Sequence, residues 1–126
     1  MKVISLILLL TGAAFSFGQN QEQLNFKLQK LKEVPDADTD RVRLLNDIAW
    51  DYSYLNYDSA KYFARLGAEL SGKLRFEDGL AEAMNVSGNC SRVLQQFDSA
   101  FFYFNQCLEI RKRQKNKRKM AGVLQN

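Results

Sequence analysis

The chain has 126 residues, with 18 Lys or Arg against 14 Asp or Glu, a net charge of +4 and no His. That length admits one domain with a modest core, and the absence of His removes the usual general base and the commonest metal ligand together. A single Pro, seven Gly and abundant Leu, Ala, Gln, Lys and Glu suit an all-helical protein.

Residues 1–18 read as a secretory signal peptide. Lys2 supplies a short positive region, Val3 to Leu10 and on to Phe15 an apolar one, and Ser16 and Gly18 are small residues at −3 and −1 of a cut before Gln19. Thr11, Gly12 and Gly18 interrupt a run shorter than the ~20 apolar residues of a membrane anchor. No Cys follows at a cleavage position, which argues against a lipid anchor. The expectation is an exported protein, periplasmic or extracellular.

Residues 19–38 form a leading helix and linker. Leu24, Leu28 and Leu31 fall on one helical stripe, and Pro35 ends it. The acidic turn from Asp36 to Asp40 offers Asp38 or Thr39 as the cap of the next helix. The spacing predicts that this first helix covers the helical unit beginning near Thr39.

From Thr39 the pattern becomes periodic. Val42, Leu45, Ile48, Ala49 and Tyr52 share a face, with Arg43, Asn46, Asp47 and Asp51 off it. After a turn near Leu55 and Asn56, Asp58 is placed to cap a second helix with Ala60, Phe63, Ala64, Gly67, Leu70 and Leu74 inward. A second unit begins near Glu77. Met84, Gly88, Ser91 and Leu94 mark its first helix, Gln95 and Gln96 turn the chain, and Asp98 caps a helix with Ala100, Phe104, Cys107, Leu108 and Ile110 inward.

The two units echo each other. Asp58-Ser59-Ala60 returns as Asp98-Ser99-Ala100 at an offset of 40 residues, and Tyr57, Tyr62, Phe63, Glu69 and Leu70 return as Phe97, Phe102, Tyr103, Glu109 and Ile110. A fixed period is the mark of a stacked repeat protein. The repeats span about 39–76 and 77–116, with a partial third over 117–126, because Ala81, Ala83 and Met84 return as Ala121, Val123 and Leu124. A solenoid repeat does not bury its apolar face alone, so an open third repeat points to a longer protein or to self-association.

Met84-x-x-Ser87-Gly88-x-x-Ser91 followed by Ala100-x-x-x-Phe104, and Leu45-x-x-Ile48-Ala49-x-x-Tyr52 followed by Ala60-x-x-x-Ala64, resemble the two helices of the tetratricopeptide repeat. Ser87, Ser91 and Ala64 depart from that family's Leu, Tyr and aromatic residue, and its closing Pro is absent. The resemblance implies an all-α fold of antiparallel helix hairpins stacked as a TPR-type α-solenoid, truncated in the third repeat. It also implies a concave groove lined by Arg43, Asn46, Trp50 and Tyr54 from the first repeat and Glu82, Asn85, Asn89 and Val93 from the second. Asn side chains hydrogen-bond an extended peptide backbone, and Trp50 offers a large contact area.

Arg111 to Lys119 holds seven Lys or Arg and no acid. It reads as the solvated end of a helix, favourable at the negative pole, plus the loop into the next helix, rather than as a nucleic-acid site. Contact with an acidic partner or lipid headgroups stays open. Cys90 and Cys107 lie on successive helices, where an oxidising compartment permits a disulfide; the preferred reading is two small structural thiols. Without His, paired acids or a Gly-rich phosphate loop, neither catalytic residues nor a metal or cofactor site is assigned.

Two functions stand as expectations. One is an exported, non-enzymatic module that binds a protein or peptide. The other is the opening extracytoplasmic sensor region of a TPR-containing signalling protein, with a membrane anchor downstream and a histidine kinase or DNA-binding output, which the resemblance to such bacterial proteins implies.

Overall fold

The computed structural model describes residues 18–124, with side chains over 18–122. The leader expected over residues 1–18 lies outside the described residues, Gly18 aside. Among the described residues all regular structure is helical, and no helix is long and apolar enough to cross a membrane.

The chain divides into two units, Met1–Glu33 and Val34–Asn126. In the first, helix α1 occupies 18–31. Its expected stripe is its least exposed face, with Leu24 buried and Leu28 and Leu31 half-buried. The helix stops at Leu31, four residues before Pro35, which is the carbonyl a proline ring obstructs.

The second unit contains α2 (Thr39–Tyr52), α3 (Tyr57–Leu74), α4 (Glu77–Val93) and α5 (Phe97–Leu124). Short turns make neighbours antiparallel. Each helix packs on the next, and α2 also touches α4.

Asp38 caps α2, its carboxylate accepting from the Asp40 amide at 2.9 Å. The cap of α3 is not Asp58 but Asn56, whose side chain accepts from the Ser59 amide at 3.0 Å. Asp58 and Asp98 instead sit in the first turns of α3 and α5, where a carboxylate favours the positive helix end without capping it. α3 and α4 close alike. Arg75 and Gln95 adopt left-handed conformations with φ of 52° and 59°, and the next amides along the chain, Phe76 and Gln96, reach back to the Ser71 and Ser91 carbonyls at 2.9 and 2.8 Å.

Small residues let the helices approach. Ala49 of α2, Ala60 and Ala64 of α3 and Val86 and Cys90 of α4 form one buried cluster, walled by Trp50, Tyr52, Tyr57 and Phe63. Tyr52 and Phe63 stack with ring centroids 5.5 Å apart. At the other end of the seam, a Cβ on Gly79 would meet Val42 and Ser71, and one on Gly67 would meet Asn46. Between α4 and α5, Phe104 rests on Gly88 in the same way.

The expected break after residue 116 is absent, because α5 runs unbroken to Leu124. Residues 111–119 contain neither Gly nor Pro and, Asn116 and Gln114 apart, are all Lys or Arg, which are good helix formers, as is Gln. Their charge is partly met by the first turn of α4. Asp78 pairs with Arg111 at 2.7 Å, and Glu77 with Arg113 at 2.8 Å and Lys117 at 3.2 Å. Residues 117–124 therefore extend α5 instead of opening a third hairpin, and 125–126 lie outside the described residues.

Candidate interaction surface

The residues expected to line a groove separate into different environments. Asn46 is a correction. It is 2% exposed, and its Nδ2 donates to the Gly79 carbonyl at 2.9 Å, so it joins helices instead of facing a ligand. The reason is the small residues opposite it, Gly67 and Gly79, which draw α3 and α4 over this side of α2. Tyr54 lies in the turn beyond α2 and is 79% exposed.

Trp50 and Glu82 are brought together, the indole Nε1 donating to the carboxylate across α2 and α4. Arg43 is exposed but engaged, paired with Asp40 at 2.7 Å and with its guanidinium 4.9 Å from the Phe76 ring centre. Asn85 and Asn89 are half-buried on α4, with Asn89 accepting from Arg92 at 2.9 Å, and Val93 is exposed. The polar α2–α4 face thus carries internal bonds at Arg43, Trp50, Glu82 and Asn89.

On the other side, a cleft of about 520 Å³ separates α3 from α5 above α4. Lys61 spans it to Gln96 at 3.0 Å, and the buried Ser91 that lines it has no hydrogen-bond partner for its hydroxyl.

Among the described residues, several large apolar side chains are exposed on α5. Ala100 and Ile110 are buried and Tyr103, Cys107 and Gln114 half-buried, and these define the face turned to α4. A second face is open. Phe97 is 65%, Phe101 71% and Leu108 50% exposed, with Phe104, 36% exposed, at the border where its ring meets Gly88. Phe104 and Leu108 were expected inward. Phe104 turns its ring onto Gly88 of α4 and stays partly exposed, whereas Leu108, about 100° around the helix from Cys107, is left open. Covering each of these side chains is worth up to about 2 kcal/mol. The signal was in the sequence: α5 carries two apolar stripes, and one neighbouring helix covers one of them.

Both cysteines are free thiols. Burial pushes the Cys90 thiol up, partly offset by Lys61; burial also raises Cys107, with Arg111 opposing. Glu77 is held below the usual glutamate range by hydrogen bonds from Arg113 and Lys117, and Asp78 is lowered by those from Gln114 and Arg111. Among the described residues no group of three or more His, Cys, Asp or Glu is placed to hold a metal ion.

No protein-family model, curated protein sequence or solved structure matches the chain.

Proposed function

We propose that this chain is a non-catalytic helical-repeat module of the tetratricopeptide type that binds another polypeptide. The observation that carries the reading is the open stripe Phe97, Phe101 and Leu108 on α5, bordered by Phe104. Apolar side chains contiguous at helical spacing mark an interaction surface, whereas single exposed ones do not. The repeat reading is supported by α2–α3 and α4–α5 forming successive hairpins, with Ala60 and Ala100 buried at equivalent places. Small residues there admit the neighbouring helix. As proposed, the module works after export, on the leader-like sequence of residues 1–18.

A displayed random-peptide library selected on the immobilised chain tests this. The expected result is an enriched sequence family that binds saturably and loses binding to a Phe101→Asp, Leu108→Asp double variant with unchanged far-UV circular dichroism. Both side chains are exposed, so the fold tolerates the change. No enrichment, or equal binding to the variant, overturns the proposal.

A further inference from the structure

The open face of α5 has a direction. Its apolar half, Phe97, Phe101 and Leu108 with Phe104 at the border to α4, continues along the same side of the helix as Lys112, Lys115 and Lys119. Among the described residues Lys115 and Lys119 have no ion-pair partner, and Lys112 pairs within α5, with Glu109 at 3.3 Å. The face is therefore apolar at its N-terminal end and cationic at its C-terminal end.

The covered side of α5 has the same order, and there the occupant is visible. α4 runs antiparallel to α5, with Gly88 against the Phe104 ring. Its acidic first turn, Glu77 and Asp78, lies on Arg111, Arg113 and Lys117. Small residues over the apolar half and carboxylates over the basic half are how α5 already holds one helix. The internal echo points the same way. Tyr57 of α3, which corresponds to Phe97, packs against the cluster that Val86 and Cys90 of α4 complete.

We propose that the outer face of α5 seats an amphipathic helix of another protein, antiparallel to α5, with carboxylates in its first turn and small or apolar residues along its contact stripe. This rests on the reading of the chain as a polypeptide-binding module and names the kind of partner. A second copy of α5 fits poorly. Parallel pairing sets lysine against lysine, and antiparallel pairing carries Lys112, Lys115 and Lys119 past the partner's apolar stripe. The only acids of α5, Asp98 and Glu109, lie off that stripe. A helix with an acidic first turn satisfies both halves, and its own dipole favours the same charges.

The probe is a labelled synthetic Ala/Leu-rich amphipathic helix of about 18 residues, long enough to hold helical structure, with two glutamates in its first turn. A matched peptide carries two lysines there, and binding to the intact chain is followed by fluorescence anisotropy at low salt. Replacing the glutamates is expected to weaken binding about tenfold, since several exposed ion pairs turn from attraction to repulsion. The Lys112→Glu, Lys115→Glu, Lys119→Glu variant is expected to reverse the preference. Phe101→Asp with Leu108→Asp removes binding of both peptides.

No binding of the glutamate peptide, or equal binding of the two peptides, overturns the inference. So does a dimer seen by sedimentation velocity that Phe101→Asp dissociates, because the face then belongs to a second copy. Library-selected peptides that depend on Phe101 but carry no acidic turn sink this inference while leaving the polypeptide-binding reading in place; failure of both selections sinks the two together.

Discussion

The side-chain amide of Asn46 donates to the carbonyl oxygen of Gly79 at 2.9 Å, a bond between residues 33 positions apart that ties the middle of α2 to the first turn of α4. The same side chain presents its Oδ1 to Gly67 of α3, so one buried amide stands where three helices meet. Oδ1 has no hydrogen-bond partner, which makes this a site held by packing on one side and by a polar bond on the other. A position that reads as a groove contact on a helical wheel is therefore part of the framework.

Asn46→Ala is expected to cost about 1–3 kcal/mol, because it leaves the Gly79 carbonyl without its donor and opens space between helices. Gly67→Ala should also destabilise, although alanine is the better helix former, since its Cβ would fall on the tethered Oδ1. Gly88→Ala is milder, because the Phe104 ring it meets is partly exposed and able to swing outward. Urea denaturation of the three single variants and the Asn46→Ala, Gly67→Ala pair checks this. The pair should be less destabilised than the sum, as removing the amide relieves the new contact; strict additivity would place the two residues apart.

Arg75 and Gln95 hold left-handed backbone conformations that residues with a Cβ adopt at a cost. Both are exposed, so glycine there removes no buried contact. Gln95→Gly is expected to raise stability by about 0.5–1 kcal/mol, the relief exceeding the added freedom of the unfolded chain. Thermal melting gives the answer directly, and a lowered midpoint would argue against this turn geometry.

How far each feature was legible in the sequence depends on the range of its cause. Helix starts and stops depend on neighbours in sequence, so Asp38, the turn at Gln95 and Gln96 and the small face of Ala49, Ala60 and Ala64 were readable from spacing. Asn56 was missed as a cap because Asp58, two residues on, is an equally good capping type, and only backbone geometry separates them. Asn46 was misplaced because burial of a polar residue is decided by what stands opposite, here two glycines at 67 and 79. The length of α5 escaped for a similar reason. The 40-residue echo of Ala121, Val123 and Leu124 suggested a new helix, while a continuous helix-forming stretch paired to Glu77 and Asp78 favoured prolongation. On α5 the inward face was readable at Ala100, Phe104, Cys107 and Ile110, whereas Leu108 was set inward by its spacing although α4 does not reach it.

The pairing of α4 with the basic half of α5 carries a pH dependence. Glu77 lies below its ordinary 4.5 and Asp78 below 3.8 in the folded chain. A lowered carboxylate contributes stability that is complete above the ordinary value and is lost as pH falls through the lowered one. Acid should therefore loosen residues 111–119 first. The Cα chemical shifts there are expected to move toward coil values as pH falls below the ordinary carboxylate range, while those of residues 100–108 hold. Glu77→Gln with Asp78→Asn should flatten the response. Uniform loss along α5 would show that these carboxylates do not hold its end.

The two thiols should differ in reactivity. Cys90 is 0% exposed within the Ala49, Ala60, Ala64 and Val86 cluster, and burial raises its pKa; Cys107 is half-buried on α5, also raised by burial but with Arg111 opposing. Thiol–disulfide reagents attack through the thiolate, so both residues are slow at neutral pH, and access then separates them. With an aromatic disulfide reagent the native chain is expected to release colour from Cys107 alone, faster as pH rises. Cys90 should react only when denaturant opens the cluster. Cys107→Ser removes the native phase and leaves the melting curve nearly unchanged, whereas Cys90→Ser lowers the midpoint by placing a hydroxyl among the apolar side chains of the cluster. Equal rates for the two thiols in the native chain would mean that α4 does not bury Cys90 against α2 and α3.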